Sequence, residues 1–169
     1  MPTTQKRVNS EVLFEFFLTL SRFEYALKAS KYFKRLGCQG NDPLRPPEAM
    51  PDWDSFAVSL RDTFLKDRNQ GLQRACGYIL DLPPWKQVII NDSVAWETPV
   101  RPKNESDIEC LLRMVRCIRN NLFHGGKHNI ELHEQTERTE QLLRSSLTIL
   151  NECLTLSSRV KDFFDQAKI

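Results

Sequence analysis

The 169 residues carry 40% hydrophobic and 27% charged side chains, proportions that exclude wholesale disorder, collagen and a miniprotein built on disulfides. They suit one domain spanning residues 1–169, and nine prolines against six glycines disfavour a sheet protein rich in tight turns, so an all-α helical bundle of about five helices is expected. The net charge of +2 is too small for a generic polyanion binder, but it is unevenly spread: +4 over residues 1–36, −3 over 37–100, +3 over 101–130 and −2 over 131–169.

Residues 10–36 read as one long amphipathic helix. Ser10 is placed to cap it, Leu13, Phe16, Phe17, Leu20 and Leu27 recur near helical spacing, and Gly37 is placed to end it. Phe14, Phe23 and Phe33 widen the apolar stripe beyond one face, enough to serve a core and a second subunit. Residues 37–52, dense in Gly, Pro and Asp, read as a loop. A second helix starts from Asp52 or Asp54 and carries Phe56, Ala57, Leu60 and Phe64; a short third covers about 72–80, stopped by Pro83-Pro84.

The only strand-like runs fall within residues 85–100: Gln87 to Ile90 and Val94 to Trp96, with Asn91-Asp92 as the turn. A lone hairpin is marginal in water, so this extended arm, near residues 87–97, should lie on the helices. The fourth helix has the clearest start, because Ser106 and Glu109 stand at capping-box spacing. Its inward stripe is Ile108, Leu111, Leu112, Val115, Ile118 and Leu122, and it should run to His124, before Gly125-Gly126. A fifth helix from about Glu134 carries Leu142, Leu143, Leu147, Leu150 and Leu154 and continues or kinks into Val160 to Phe164.

Five widely spaced cysteines (Cys38, Cys76, Cys110, Cys117, Cys153), mostly in apolar helical patterns, suit a reducing compartment. With no signal-peptide core in the first residues and no apolar run long enough to span a bilayer, a cytoplasmic location without membrane contact is expected.

Chemistry concentrates in residues 116–127, at the end of the fourth helix. Arg119 is a permanently charged donor fork suited to phosphate, and His124 is the side chain type that titrates near neutral pH. Together they suit RNA cleavage in which an imidazole takes the ribose 2′-OH proton, the oxygen attacks phosphorus and guanidinium groups stabilise the added charge. Five residues along a helix turn through about 140° and advance roughly 7.5 Å, so one helix makes a poor site. Two helix ends meeting across a two-fold axis would gather two Arg and two His. Asn120, four residues before His124, is placed to orient the ring, and the helix C-terminus favours the imidazolium. Lys127 and Arg116 are candidates for further phosphate contacts, and Glu24, set among Phe23, Tyr25 and Leu27, for reaching Arg119 or Arg22.

These residues resemble the HEPN superfamily, whose members carry Arg-x(4 to 6)-His on a helix, often with a polar residue directly after the Arg. Arg119-Asn120-Asn121-Leu122-Phe123-His124 fits with four intervening residues, and Ser21 to Lys28 together with Asn120 to Lys127 are similar to a compact HEPN group associated with plasmids and mobile elements. The resemblance implies a dimeric helical bundle, metal-independent RNA cleavage to a 2′,3′-cyclic phosphate, no cofactor, and a role in toxin–antitoxin or anti-phage systems with an antitoxin protein as partner. The alternative it leaves open is a non-catalytic HEPN dimer that binds a nucleotide, an RNA or a partner protein.

The competing chemistries are weaker. Cys110 and Cys117 lie roughly 10 Å apart along one helix, too far for a single zinc ion with His124 and His128, and no CxxC or HExxH occurs. Nor is there a G-x-S-x-G, Walker A or dinucleotide motif. His128 and His133 read as surface residues, and Trp53, Trp85 and Trp96 as anchors holding loops to the core.

Overall fold

The computed structural model describes residues 8–36, 46–64, 69–123 and 132–167. Among these residues the protein is mostly helical, with two small antiparallel hairpins. The elements are α1 (Ser10–Ala29), β1 (Phe33–Leu36), β2 (Glu48–Pro51), α2 (Trp53–Ser59), α3 (Arg61–Phe64), α4 (Gln70–Asp81), β3 (Lys86–Ile90), β4 (Ser93–Glu97), α5 (Asp107–Phe123), α6 (Leu132–Leu156) and α7 (Ser158–Gln166). None of the helices is long and apolar enough to cross a membrane.

The first helix is shorter than its apolar pattern suggests. Asn9, not Ser10, caps it: Asn9 Oδ1 accepts from the backbone N–H of Glu11 at 2.8 Å and of Val12 at 3.4 Å. It stops at Ala29 rather than running to residue 36, because Lys31 takes the left-handed conformation (φ 73°). The N–H groups of Tyr32 and Lys31 then donate back to the carbonyls of Leu27 (2.9 Å) and Lys28 (3.1 Å), a Schellman closure. The chain leaves it extended and pairs β1 with β2, so Phe33 to Leu36 form a hairpin strand and Glu48 to Pro51 are not loop. Residues 37–45 lie outside the described residues. A Pro- and Gly-rich connection conceals this pairing, since a four-residue strand carries little periodicity.

Asp52 caps α2 by accepting from Ser55 N–H at 3.1 Å, and the expected second helix breaks at Leu60 into α2 and α3. Asn69 caps α4. The second hairpin forms where expected, with Ile89 opposite Val94 and both turn residues, Asn91 and Asp92, at positive φ, the two-residue turn that matches strand twist. The capping box also forms: Ser106 N–H donates to Glu109 Oε2 at 3.0 Å, and Glu109 N–H reaches Ser106 Oγ at 3.5 Å. Glu109 Oε1 and Oε2 accept a two-pronged contact from Arg61 as well, at 2.6 and 2.8 Å, which ties α3 to the start of α5. The last helical stretch breaks at Ser157, so α6 and α7 are separate.

One core unites the helices. From α5, Ile108, Leu111, Leu112, Val115 and Ile118 are buried as expected, while Leu122 is only half-buried. Opposite them stand Phe16, Phe23 and Leu27 of α1, Phe56 of α2, and Leu143 and Leu150 of α6. α6 packs against α1 and α4, while α5 lies against α2, α3 and α4. Arg22 holds α7 in place: its guanidinium donates to Phe164 O at 2.8 and 3.2 Å and stacks 4.1 Å from the Phe164 ring centroid, a cation capping a helix C-terminus. Trp53 stacks on Phe23 at 5.2 Å, consistent with an anchoring role.

Candidate functional site

The last turns of α5 bring Arg119 against α1. Arg119 Nη1 donates to Glu24 Oε1 at 2.5 Å, and Nε and Nη2 donate to Asn120 Oδ1 at 3.2 and 3.1 Å. Helical geometry accounts for this: Arg119 follows Val115 by four residues and Ile118 by one, so its stem leaves the edge of the buried stripe and its head crosses to the neighbouring helix. Both partners are partly shielded, Arg119 at 30% and Glu24 at 24% side-chain exposure. Charge-assisted hydrogen bonds at such a boundary hold a side chain more firmly than surface pairs do. Of the five N–H donors of the fork, three are engaged among the described residues, leaving two directed elsewhere.

Glu24 thus reaches Arg119 rather than Arg22, whose fork serves α7. Asn120 is exposed and braces Arg119. His124 and Lys127 lie outside the described residues. Arg116, one turn before Arg119, faces α2 instead: its Nη1 donates to Asp54 Oδ1 at 3.2 Å, and Asp54 also accepts from Lys34 at 2.8 Å. Hydrogen bonds from Lys34 and Ser55 hold the Asp52 carboxyl below its usual range despite partial burial, while Asp54 and Asp52 raise the Lys34 ammonium. Arg113 forms a two-pronged pair with Glu105 at 2.6 Å on both prongs. The helix therefore presents Arg113, Arg116 and Arg119 at three-residue intervals, each bound to a carboxylate from a different part of the chain.

Beside Arg119 the surface is apolar. Phe123 is 65% exposed and its ring lies 4.7 Å from that of Phe17, while Phe14, one turn back on α1, is 68% exposed. Of the three phenylalanines expected to widen the α1 stripe, Phe23 is in the core, Phe33 is on β1, and only Phe14 belongs to this outer face.

Sequence reasoning passed over Asn121 and Cys117. Asn121 Nδ2 donates to Trp85 O at 2.6 Å, and the Cys117 thiol lies 3.5 Å from the same oxygen. Arg138 of α6 donates to Pro83 O at 2.8 Å and stacks 4.7 Å from the Trp85 ring centroid. The segment after α4 is thereby fastened to α5 and α6, which sets the position of the β3–β4 hairpin next to the Arg119 turn. The available signal was Asn121 itself, a poor helix former in an otherwise well-formed helix, four residues after Cys117 and facing a Pro-Pro segment whose extended backbone needs donors. Burial pushes the Cys110 and Cys117 thiols up in pKa, and no group of three His, Cys, Asp or Glu among the described residues is arranged to hold a metal ion. Compared with known proteins, the chain matches no family model, no curated protein and no solved structure.

Proposed function

We propose that the protein is a metal-independent endoribonuclease of the HEPN type, acting as a homodimer in the cytoplasm in a toxin–antitoxin or anti-phage setting. The observation that carries the reading is the bracing of Arg119 by Glu24 and Asn120 in the last turn of α5, five residues before His124 in the chain. A phosphate clamp needs a guanidinium whose direction is set before substrate arrives, since preorganised charge is what stabilises a phosphorane-like transition state. The two N–H donors left over are the ones that would meet phosphate oxygens. His124 serves as general base for the 2′-OH; its oxygen attacks phosphorus, the 5′-oxygen departs, and the second protomer's imidazole supplies the leaving-group proton. The products are a 2′,3′-cyclic phosphate and a 5′-hydroxyl. Exposed Phe14 and Phe123 flank Arg119 and form the apolar surface that a second copy would cover, bringing both motifs to one two-fold axis.

The test is an RNA cleavage assay on purified protein, with product ends identified. Arg119→Ala and His124→Ala should each abolish cleavage while the circular dichroism spectrum and dimer mass stay unchanged; EDTA should not inhibit, and DNA should stay intact. Cleavage that survives His124→Ala, or that requires a divalent metal, overturns the proposal. The neutralising contact from Glu24 favours one second reading, a dimer that binds a nucleotide, RNA or partner protein without cutting. RNA binding that depends on Arg119 but yields no cyclic phosphate would select it.

A further inference from the structure

A small cavity opens between α2 and α5, one turn before Arg119. Its volume is about 120 Å³, and Trp53, Asp54, Glu105, Leu112, Arg113 and Arg116 are among the residues that line it. That size is far below the 300–1,000 Å³ of pockets for drug-sized ligands. It is slightly smaller than a 150 Å³ cavity that holds benzene, so a partly open cleft of this volume takes one six-membered ring and not a fused pair.

Two features indicate the ring's chemistry. The indole Nε1 of Trp53 is buried and has no hydrogen-bond acceptor, which is costly enough that native proteins rarely leave it so. Arg116 spends one of its five donors on Asp54. Both ask for a carbonyl oxygen on the ligand. The carboxylates of Glu105 and Asp54 stand on the same walls and ask for an N–H. Positive and negative groups on these walls nearly balance, which disfavours a bare phosphate dianion and suits a neutral ring with donors and acceptors on its edge. Pyrimidine bases present that edge: a carbonyl that takes hydrogen bonds from N–H donors, and an N–H or amino group of the kind carboxylates read. Leu112 supplies an apolar wall for the ring face.

We propose that the α2–α5 cavity is a pyrimidine-base pocket, which seats a base of the RNA strand whose phosphate Arg119 holds. The inference rests on the ribonuclease reading for the phosphate, but the pocket is tested without cleavage. Arg116 and Arg119 are three residues apart on one helix and so are surface neighbours, roughly 5–6 Å apart at Cβ; a base and its own phosphate are separated by a single sugar.

The experiment follows the Trp53 indole N–H resonance in the full-length ¹⁵N-labelled protein, assigned by its loss in Trp53→Phe. Cytidine 3′-monophosphate, uridine 3′-monophosphate, adenosine 3′-monophosphate and inorganic phosphate are added in turn. The pyrimidine nucleotides should shift the resonance downfield with saturation, adenosine monophosphate and phosphate should not, and Arg116→Gln should weaken the pyrimidine effect at least tenfold. A response to phosphate alone marks an adventitious ion only and overturns the proposal, as does an equal response to adenosine monophosphate or no response at millimolar nucleotide. A pyrimidine response that persists undiminished in Arg119→Ala keeps the pocket and removes the phosphate from Arg119, so failure of the ribonuclease reading is seen separately.

Discussion

Glu109 connects the start of the functional helix to the rest of the fold, and its removal has a calculable effect. The two-pronged Arg61 contact, aided by the Ser106 hydroxyl and N–H, lowers its carboxyl pKa from 4.5 to about 2. A difference of that size corresponds to about 3.4 kcal/mol of preference for the charged form in the folded chain. Arg61 is 46% exposed, so solvent screens part of this, and about 2 kcal/mol should be expressed as stability. Because the folded pKa is depressed, the contribution is complete above pH 4.5 and is lost as pH falls from 4.5 through 2. Glu109→Gln keeps the side-chain length and an oxygen for the Ser106 N–H but removes the charge. At pH 7 the variant should melt about 4–8 °C lower by far-ultraviolet circular dichroism, given roughly 2–4 °C per kcal/mol for a chain of this size. Urea titrations from pH 6 to pH 2 should show the two proteins converging toward the acid end. A stability gap that is the same at pH 6 and pH 2, or no gap at all, would refute the electrostatic account of the α3–α5 junction.

Other consequences are as direct. Lys31→Gly should stabilise the protein by about 1 kcal/mol in urea unfolding, since a side chain at φ 73° is strained and glycine is not; a destabilisation would mean that the Lys31 side chain itself matters. Asn121→Ala should cost about 1 kcal/mol and speed amide exchange across residues 86–97, because Trp85 O loses its 2.6 Å donor; unchanged exchange there would show that Arg138 alone fixes the hairpin. Among Cys76, Cys110, Cys117 and Cys153, a thiol-alkylating reagent at pH 8 should modify Cys117 first, read by peptide mass spectrometry. Cys76, Cys110 and Cys153 are buried, and burial pushes the Cys153 thiol strongly up; fast labelling of Cys153 would contradict the packing of α4 on α6.

Local chemistry was readable where it is self-contained. The Ser106–Glu109 box, the Asn91-Asp92 turn and the α5 stripe need only neighbours within a few residues, and they form as their spacing demands. The β1–β2 hairpin and the early end of α1 were not readable, because apolar residues such as Phe33 continue the helical pattern past the point where Lys31 breaks it. The candidate site divides in the same way. That Arg119 and Asn120 stand together follows from adjacency in the chain, and Glu24 was one of several acidic residues that could have met the guanidinium.

From its sequence alone the protein is a mostly helical chain with a polar Arg-x4-His segment at a helix end, since both properties are written in spacing along the chain. Tertiary structure alone decided which carboxylate each arginine of α5 meets: Glu105 for Arg113, Asp54 for Arg116, Glu24 for Arg119. It also placed the cavity between α2 and α5 and the exposed phenylalanines beside Arg119. The reason is that charged side chains find partners across distances set by how helices pack, and packing angles depend on the whole core rather than on any one helix.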